Sequence, residues 1–82
     1  MPRRARPYMI GRYGMGTLSC LKSRDGMFIL FNAMKIAQHS ETGAWLMLED
    51  GWTITPCGKN AIQVQLNNSD GVIVSLNGAA SE

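Results

Sequence analysis

The chain has 82 residues, of which 45% are hydrophobic and 17% charged, and a formal net charge of +2. This length predicts a single domain near the lower size limit for one hydrophobic core, and the apolar fraction argues against wholesale disorder. No stretch approaches the roughly 18 apolar residues of a membrane span, and no apolar region follows the basic N-terminus as it would in a signal peptide. We therefore expect a cytoplasmic protein.

Residues 1–16 combine prolines, glycines, arginines and tyrosines, a mixture that the interiors of helices and strands disfavour. They predict an extended basic arm. The arm carries four arginines, whereas the rest of the chain has four basic and six acidic residues, beginning with Asp25. Such asymmetry indicates a partner that the arm reaches.

Residues 17–77 are predicted to form one β domain, followed by a polar tail over residues 78–82 that we expect to fray. Three turn signals interrupt its apolar runs: Asp25-Gly26, Asp50-Gly51 and Asp70-Gly71. Asp-Gly favours hairpin turns because Gly adopts positive φ without steric cost. The pattern predicts an all-β fold, a small antiparallel meander of three hairpins closed into a barrel or two-layer sandwich.

The first predicted hairpin pairs roughly Leu18–Lys22 with Met27–Phe31. The segment 32–39 that follows is ambiguous. Asn32 could cap a short helix, or the chain could continue as a strand. We favour a helical turn or an irregular link here.

The middle hairpin is predicted around Asp50-Gly51 as a two-residue loop. Four large side chains then share one face: Trp45, Met47, Trp52 and Ile54. Pro56 ends the run because proline cannot donate to a strand ladder.

The last hairpin is predicted with Asn67–Gly71 as its loop. Three apolar pairs then face each other: Leu66 with Val72, Val64 with Val74, and Ile62 with Leu76. The opposite face is polar apart from Ile73. This alternation is typical of a sheet with one solvated face.

Two strands, over residues 28–31 and 45–48, are apolar on both faces. The arm or segment 32–39 could cover the second face, or another chain could bury it, either a copy of this protein or a different one. Large aromatic and methionine side chains carry much of the energy of protein interfaces, and they serve equally well in a core. Composition leaves both alternatives open.

No catalytic or metal-binding pattern is present, so we expect no enzyme, no cofactor and no small-molecule substrate. The single histidine, His39, lies in a polar stretch without triad spacing. Cys20 and Cys57 belong to no CxxC pair, and we expect buried free thiols, with a disulfide or a metal site as alternatives.

The stretch Phe28–Ile54 resembles the strand meander of small flagellar regulators and of LytTR-type DNA-binding domains. AIQVQL stands where the flagellar proteins have a charged helix, so the resemblance assigns no functional residue.

The function expected from these features is that of a non-enzymatic interaction protein. It would dock on a larger protein assembly through its aromatic and methionine face, with the arginine arm pinning it there. Small accessory or inhibitory proteins of phages and mobile elements have this scale, and such a protein could be virion-associated. The expected partner-binding residues are Arg3, Arg4, Arg6, Tyr8, Arg12, Tyr13, Phe31, Trp45, Met47 and Trp52.

Two alternatives remain open at this point. The arm could bind nucleic acid, with its arginines on phosphates and a tyrosine stacked on a base. It could also aid solubility alone, or pair with the acidic loop 41–50 of a neighbouring subunit in a homo-oligomer.

Overall fold

The computed structural model of the chain describes residues 5–9, 15–40, 42–67, 69–77 and 79–81, with the backbone alone at residues 5–9 and 80. The described residues form nine strands: β1 (Ala5–Met9), β2 (Met15–Ser23), β3 (Gly26–Phe31), β4 (Met34–His39), β5 (Trp45–Met47), β6 (Trp52–Pro56), β7 (Ala61–Leu66), β8 (Val72–Ser75) and β9 (Ala80–Ser81). The predicted all-β class is confirmed. No helix in the described part of the chain is long and apolar enough to cross a membrane.

The strands form two sheets. The larger sheet has the order β1-β2-β3-β4-β5 with antiparallel neighbours, and β9 adds to β2 in parallel. The smaller sheet has the antiparallel order β6-β7-β8. Among the described strands no pairing joins the two sheets, so they do not close into a barrel.

The first predicted hairpin is confirmed, and β2 pairs with β3 in the register Leu18↔Phe31 to Ser23↔Gly26. Gly26 has a φ of +113°, the conformation that glycine adopts without steric cost. The Ser23 hydroxyl donates to the Gly26 carbonyl at 3.3 Å and accepts from the Asp25 amide at 3.2 Å. The turn is therefore held by side-chain bonds as well as by glycine.

Met34–His39 forms strand β4, so the helical turn or irregular link favoured for segment 32–39 is wrong and the alternative of a strand is present. Asn32 and Ala33 form a two-residue turn with φ of +51° and +68°, and Phe31 then pairs with Met34. Positive φ at both central residues is typical of the type I′ turn, whose twist matches that of a hairpin. The Thr17 amide donates to the Asn32 side-chain oxygen at 2.9 Å, and this bond supports the turn.

A bulge in β4 places two consecutive residues in the core. The register between β3 and β4 shifts after Ile29↔Ala37, so that Leu30 faces Lys35 and Ile36 is the extra residue. Both Ile36 and Ala37 are fully buried. Regular alternation would have turned one of them towards the opposite face.

The predicted middle hairpin is wrong, because β5 and β6 belong to different sheets. β5 pairs with β4 through Ala37↔Met47, whereas β6 pairs with β7 through Ile54↔Val64. The prediction treated segment 32–39 as non-strand and so left β5 without its real neighbour. Asp50-Gly51 therefore lies in the connection between the sheets, where the Gly51 carbonyl accepts from the Asn67 amide.

The last hairpin is confirmed as a strand pair, but its predicted register is wrong by two residues. Val64 faces Val72 and Ile62 faces Val74. The loop is wider than predicted because Ser69 closes it, accepting from the Leu66 amide through its hydroxyl at 3.0 Å. A shift of two residues keeps every side chain on its face, so the apolar face is as predicted.

One core cluster draws on both sheets. Its buried members are Leu18, Cys20, Ile29, Ile36 and Ala37 from the larger sheet, and Trp52, Ile62, Val64 and Val74 from the smaller one. A second cluster of Leu21, Phe28 and Leu30 lies apart from it within the larger sheet. The larger sheet therefore buries apolar side chains in two separate clusters.

The two chain ends lie partly in the larger sheet. Residues 5–9 pair with residues 15–19, and the C-terminal strand pairs with Leu21 and Lys22. Pro7 is tolerated in β1 because an edge strand can turn the missing N–H side to solvent. Residues 1–4 and 10–14 lie outside the described residues, so the arm as a whole stays a prediction.

Candidate docking surface

The structure does not describe the side chains that were predicted to form the arm contacts. Arg3, Arg4, Arg12 and Tyr13 lie outside the described residues, and Arg6 and Tyr8 lie in β1, whose backbone alone is described.

The predicted aromatic and methionine face is turned into the core of this chain. Trp52 is only 7% exposed, and its ring lies 5.0 Å from that of Phe31. Trp45 and Met47 are half-buried against the same cluster. The two tryptophans sit on different sheets, and both pack in the core cluster that the two sheets share. These four residues therefore do not form a free outer face.

The most exposed apolar side chains near them are Leu46 and Leu48. They are 58% and 38% exposed. Alternation along β5 places both on the face opposite to Trp45 and Met47. The sequence indicated that this strand is apolar on both faces, and the predicted partner-binding residues lie on the face that packs against the core. The pattern WLML alone did not say which of its two faces meets the core.

β5 is an edge of the larger sheet, since β4 is its only neighbour among the described strands. No described strand pairs with its other side, where an added strand could bond the backbone groups. The Leu48 amide continues the ladder towards β4 by donating to the Ile36 carbonyl at 2.9 Å. The open edge thus runs along Trp45–Met47 and on to Leu48.

The other edges are less suited to strand addition. β1 contains Arg6 and Pro7, and β6 ends in Pro56. Charge and proline are common devices by which proteins protect a sheet edge. β8 has one strongly exposed apolar side chain, Ile73, at 54%. β5 has the exposed Leu46 within it and the exposed Leu48 directly after it, and it contains neither a charge nor a proline.

Acidic side chains lie at the end of this edge. Glu49 and Asp50 follow Leu48 directly, and both are exposed. None of the described lysines or arginines forms an ion pair with them. An approaching segment meets two leucines and then two carboxylates.

The histidine and the cysteines are separate from this edge. The His39 ring lies 4.9 Å from that of Trp45 on the inner side. Cys20 and Cys57 are both free thiols as predicted, but Cys57 is exposed. Burial raises the pKa of the Cys20 thiol to about 11, so it is uncharged at neutral pH and a poor nucleophile. Among the described residues no three His, Cys, Asp or Glu side chains could hold a metal ion together.

No protein-family model matches this chain, and neither a curated protein nor a solved structure is found to be similar to it.

Proposed function

We propose that this chain is a non-enzymatic binding domain that docks on another protein by accepting an extended segment of it along the edge of β5. The observation that carries the proposal is this unpaired edge, with its two exposed leucines and the carboxylates that follow. It replaces the aromatic and methionine face expected from the sequence.

Strand addition would supply both affinity and specificity. The free backbone groups of β5 would bond the incoming segment, and alternate side chains of that segment would lie over Leu46 and Leu48. Removing exposed apolar area from water contributes roughly 25 cal/mol per Å². The partner segment is therefore extended, with apolar residues at alternate positions.

Charge defines the partner further. Glu49 and Asp50 favour a lysine or arginine in the segment, placed beyond its apolar positions. The arginines of residues 1–12 would contact an acidic region elsewhere on the same partner, where they can bind carboxylates bidentately. The β5 edge favours basic residues of the partner, whereas the arginines favour acidic ones. This difference would fix the orientation in which the partner docks.

A displayed library of random peptides tests the proposal. The purified full-length protein should enrich segments that alternate apolar residues and carry Lys or Arg. Synthetic versions should bind in fluorescence anisotropy titrations. Leu46→Lys should weaken them at least about tenfold, which corresponds to ~1.4 kcal/mol.

Ile73→Lys is the matched control, since it makes the same change at a comparably exposed position of the smaller sheet. It should leave peptide affinity unchanged. Equal binding by the two variants would contradict the proposal. So would light scattering that shows a dimer which Leu46→Lys converts to monomer, because a second copy would then occupy the edge.

A further inference from the structure

The end of the molecule where β2 and β4 finish contains a cleft of about 530 Å³. Its walls come from six separate segments: the ends of β2 and β4, the start of β3, the turn before β7, the chain after β8, and β9. Volumes in this range are typical of small-molecule sites. A smaller hollow of about 260 Å³ adjoins it and shares Lys22, Met27 and His39.

The cleft is lined by basic side chains. Lys22 lines it from the end of β2 and Lys59 from the turn before β7, and His39 lines both the cleft and the smaller hollow. No Asp or Glu lines it among the described residues. Within the same part of the chain neither lysine has an ion-pair partner. Two lysines therefore line one cavity, and none of the described acidic residues lines it with them.

Neutral hydrogen-bonding groups complete the lining. Asn60, Asn77 and Ser81 contribute to the wall, and Met27 and Leu76 supply an apolar part. The Asn60 carbonyl accepts from the Leu76 amide at 2.8 Å, which joins two of the wall segments. An amide side chain can form hydrogen bonds with the edge of a nucleobase, and the apolar side chains can pack against the face of its ring.

The described acidic residues lie mostly at the other end of the molecule. Glu49 and Asp50 follow β5, and Asp70 lies in the loop between β7 and β8. In this antiparallel topology those positions are opposite to the ends of β2 and β4. Asp25 is the exception: it lies in the β2–β3 turn, but it does not line the cleft. The arrangement of the described charges favours an anion in the cleft.

We infer that this cleft binds a phosphorylated nucleoside, with the phosphate between Lys22 and Lys59 and the base against the asparagines and the apolar part. Lysine binds phosphate as a point charge and tolerates variable geometry. The ligand could be a free mononucleotide or the 5′-phosphate end of a nucleic-acid strand, because both present the same group. This inference is independent of docking at β5.

Titration of the full-length protein tests it. The probes are the four nucleoside monophosphates, the matching nucleosides, inorganic phosphate, and one oligonucleotide with and without a 5′-phosphate. Binding is followed through backbone amide chemical shifts. Monophosphates should shift the signals of Lys22, His39, Asn60 and Asn77 and leave Glu49 unshifted, whereas nucleosides should bind at least about tenfold more weakly.

Two variants distinguish a specific binding site from nonspecific electrostatic attraction. Lys22→Gln combined with Lys59→Gln should lose at least about tenfold in affinity for the monophosphates. Lys35→Gln, which removes an exposed lysine 4.2 Å from the Phe28 ring, is the control and should bind like the parent. All three positions are exposed, so the fold should persist.

The oligonucleotides identify the source of the ligand. Tighter binding of the 5′-phosphorylated strand than of a mononucleotide assigns a strand end, and equal or weaker binding assigns a free nucleotide. The inference would be overturned if millimolar monophosphate caused no localised changes in the amide chemical shifts. Equal losses in the double variant and in Lys35→Gln would also overturn it, as would inorganic phosphate binding as tightly as any nucleotide.

Discussion

Among the described residues, Ala33 is the one whose backbone conformation fits its side chain least well. Its φ of +68° lies in the left-handed region, which costs a non-glycine residue roughly 1–2 kcal/mol. The neighbouring Asn32, at +51°, tolerates that region better because asparagine adopts it more readily than other non-glycine residues, and its side-chain oxygen accepts from the Thr17 amide. The turn needs positive φ at both positions, so it retains a strained alanine.

Ala33→Gly should stabilise the protein by about 1 kcal/mol, because glycine adopts this conformation without the Cβ clash and Asn-Gly is favoured in the type I′ turn. Urea unfolding followed by tryptophan fluorescence measures the change. In Ala44→Gly the parent residue is exposed and has no positive φ. This control should be destabilised by about 0.5–1 kcal/mol, since glycine has more freedom to lose on folding. Destabilisation of both variants would mean that Ala33 is not strained.

At the scale of elements, hairpin registers depended on loop closures that residue patterns did not show. The β7–β8 loop closes at Ser69, which is 9% exposed and bonds Leu66 through both its amide and its hydroxyl. The Gln65 amide side chain adds a bond to the Ser69 carbonyl at 3.1 Å. These contacts set a wider loop, and the strand pairing follows from it.

Ser69→Ala should cost about 1–3 kcal/mol, because the Leu66 amide would lose its acceptor in a partly buried site. Ser75→Ala removes an equivalent hydroxyl whose bond to the Asn77 amide is exposed, and it should change stability by less than about 0.5 kcal/mol. Thermal unfolding of both variants gives the comparison. Equal effects would show that the Ser69 closure is not what holds the register.

At the scale of the whole molecule, the sheets share one core without sharing strand hydrogen bonds. Trp52 belongs to the smaller sheet and meets Phe31 of the larger one. The single large cluster therefore couples elements that the backbone ladder leaves separate. A chain of this size is stable by only a few kcal/mol, so loss of one sheet should expose the other.

Ile62→Val, at a position that is 1% exposed, should cost about 0.5–1.5 kcal/mol. Hydrogen exchange should report this loss equally in β7 and in β3, because both sheets unfold in one step. Ile73→Val makes the same change at an exposed site and should leave exchange in both strands nearly unchanged. A loss confined to β7 would make the sheets separate cooperative units.

Local pattern was sufficient for the fold class and for much of the strand content. Period-2 alternation in AIQVQL and the Asp25-Gly26 turn predicted strands and a hairpin that the structure contains. The inner face of β7 was also evident, because Ile62 and Val64 alternate with glutamines. These features depend on neighbours a few residues apart, and the sequence displays such neighbours directly.

Strand pairing and the candidate sites were decided by tertiary structure. Trp45 and Trp52 are close in the chain but belong to different sheets, because each strand pairs with the partner that completes its ladder. Because of this strand pairing, the tryptophans pack towards the core and Leu46 lies on an edge strand. The cleft likewise joins Lys22 to Lys59, which no local motif could connect. Composition limited this chain to a small β protein, whereas long-range pairing determined which faces meet water.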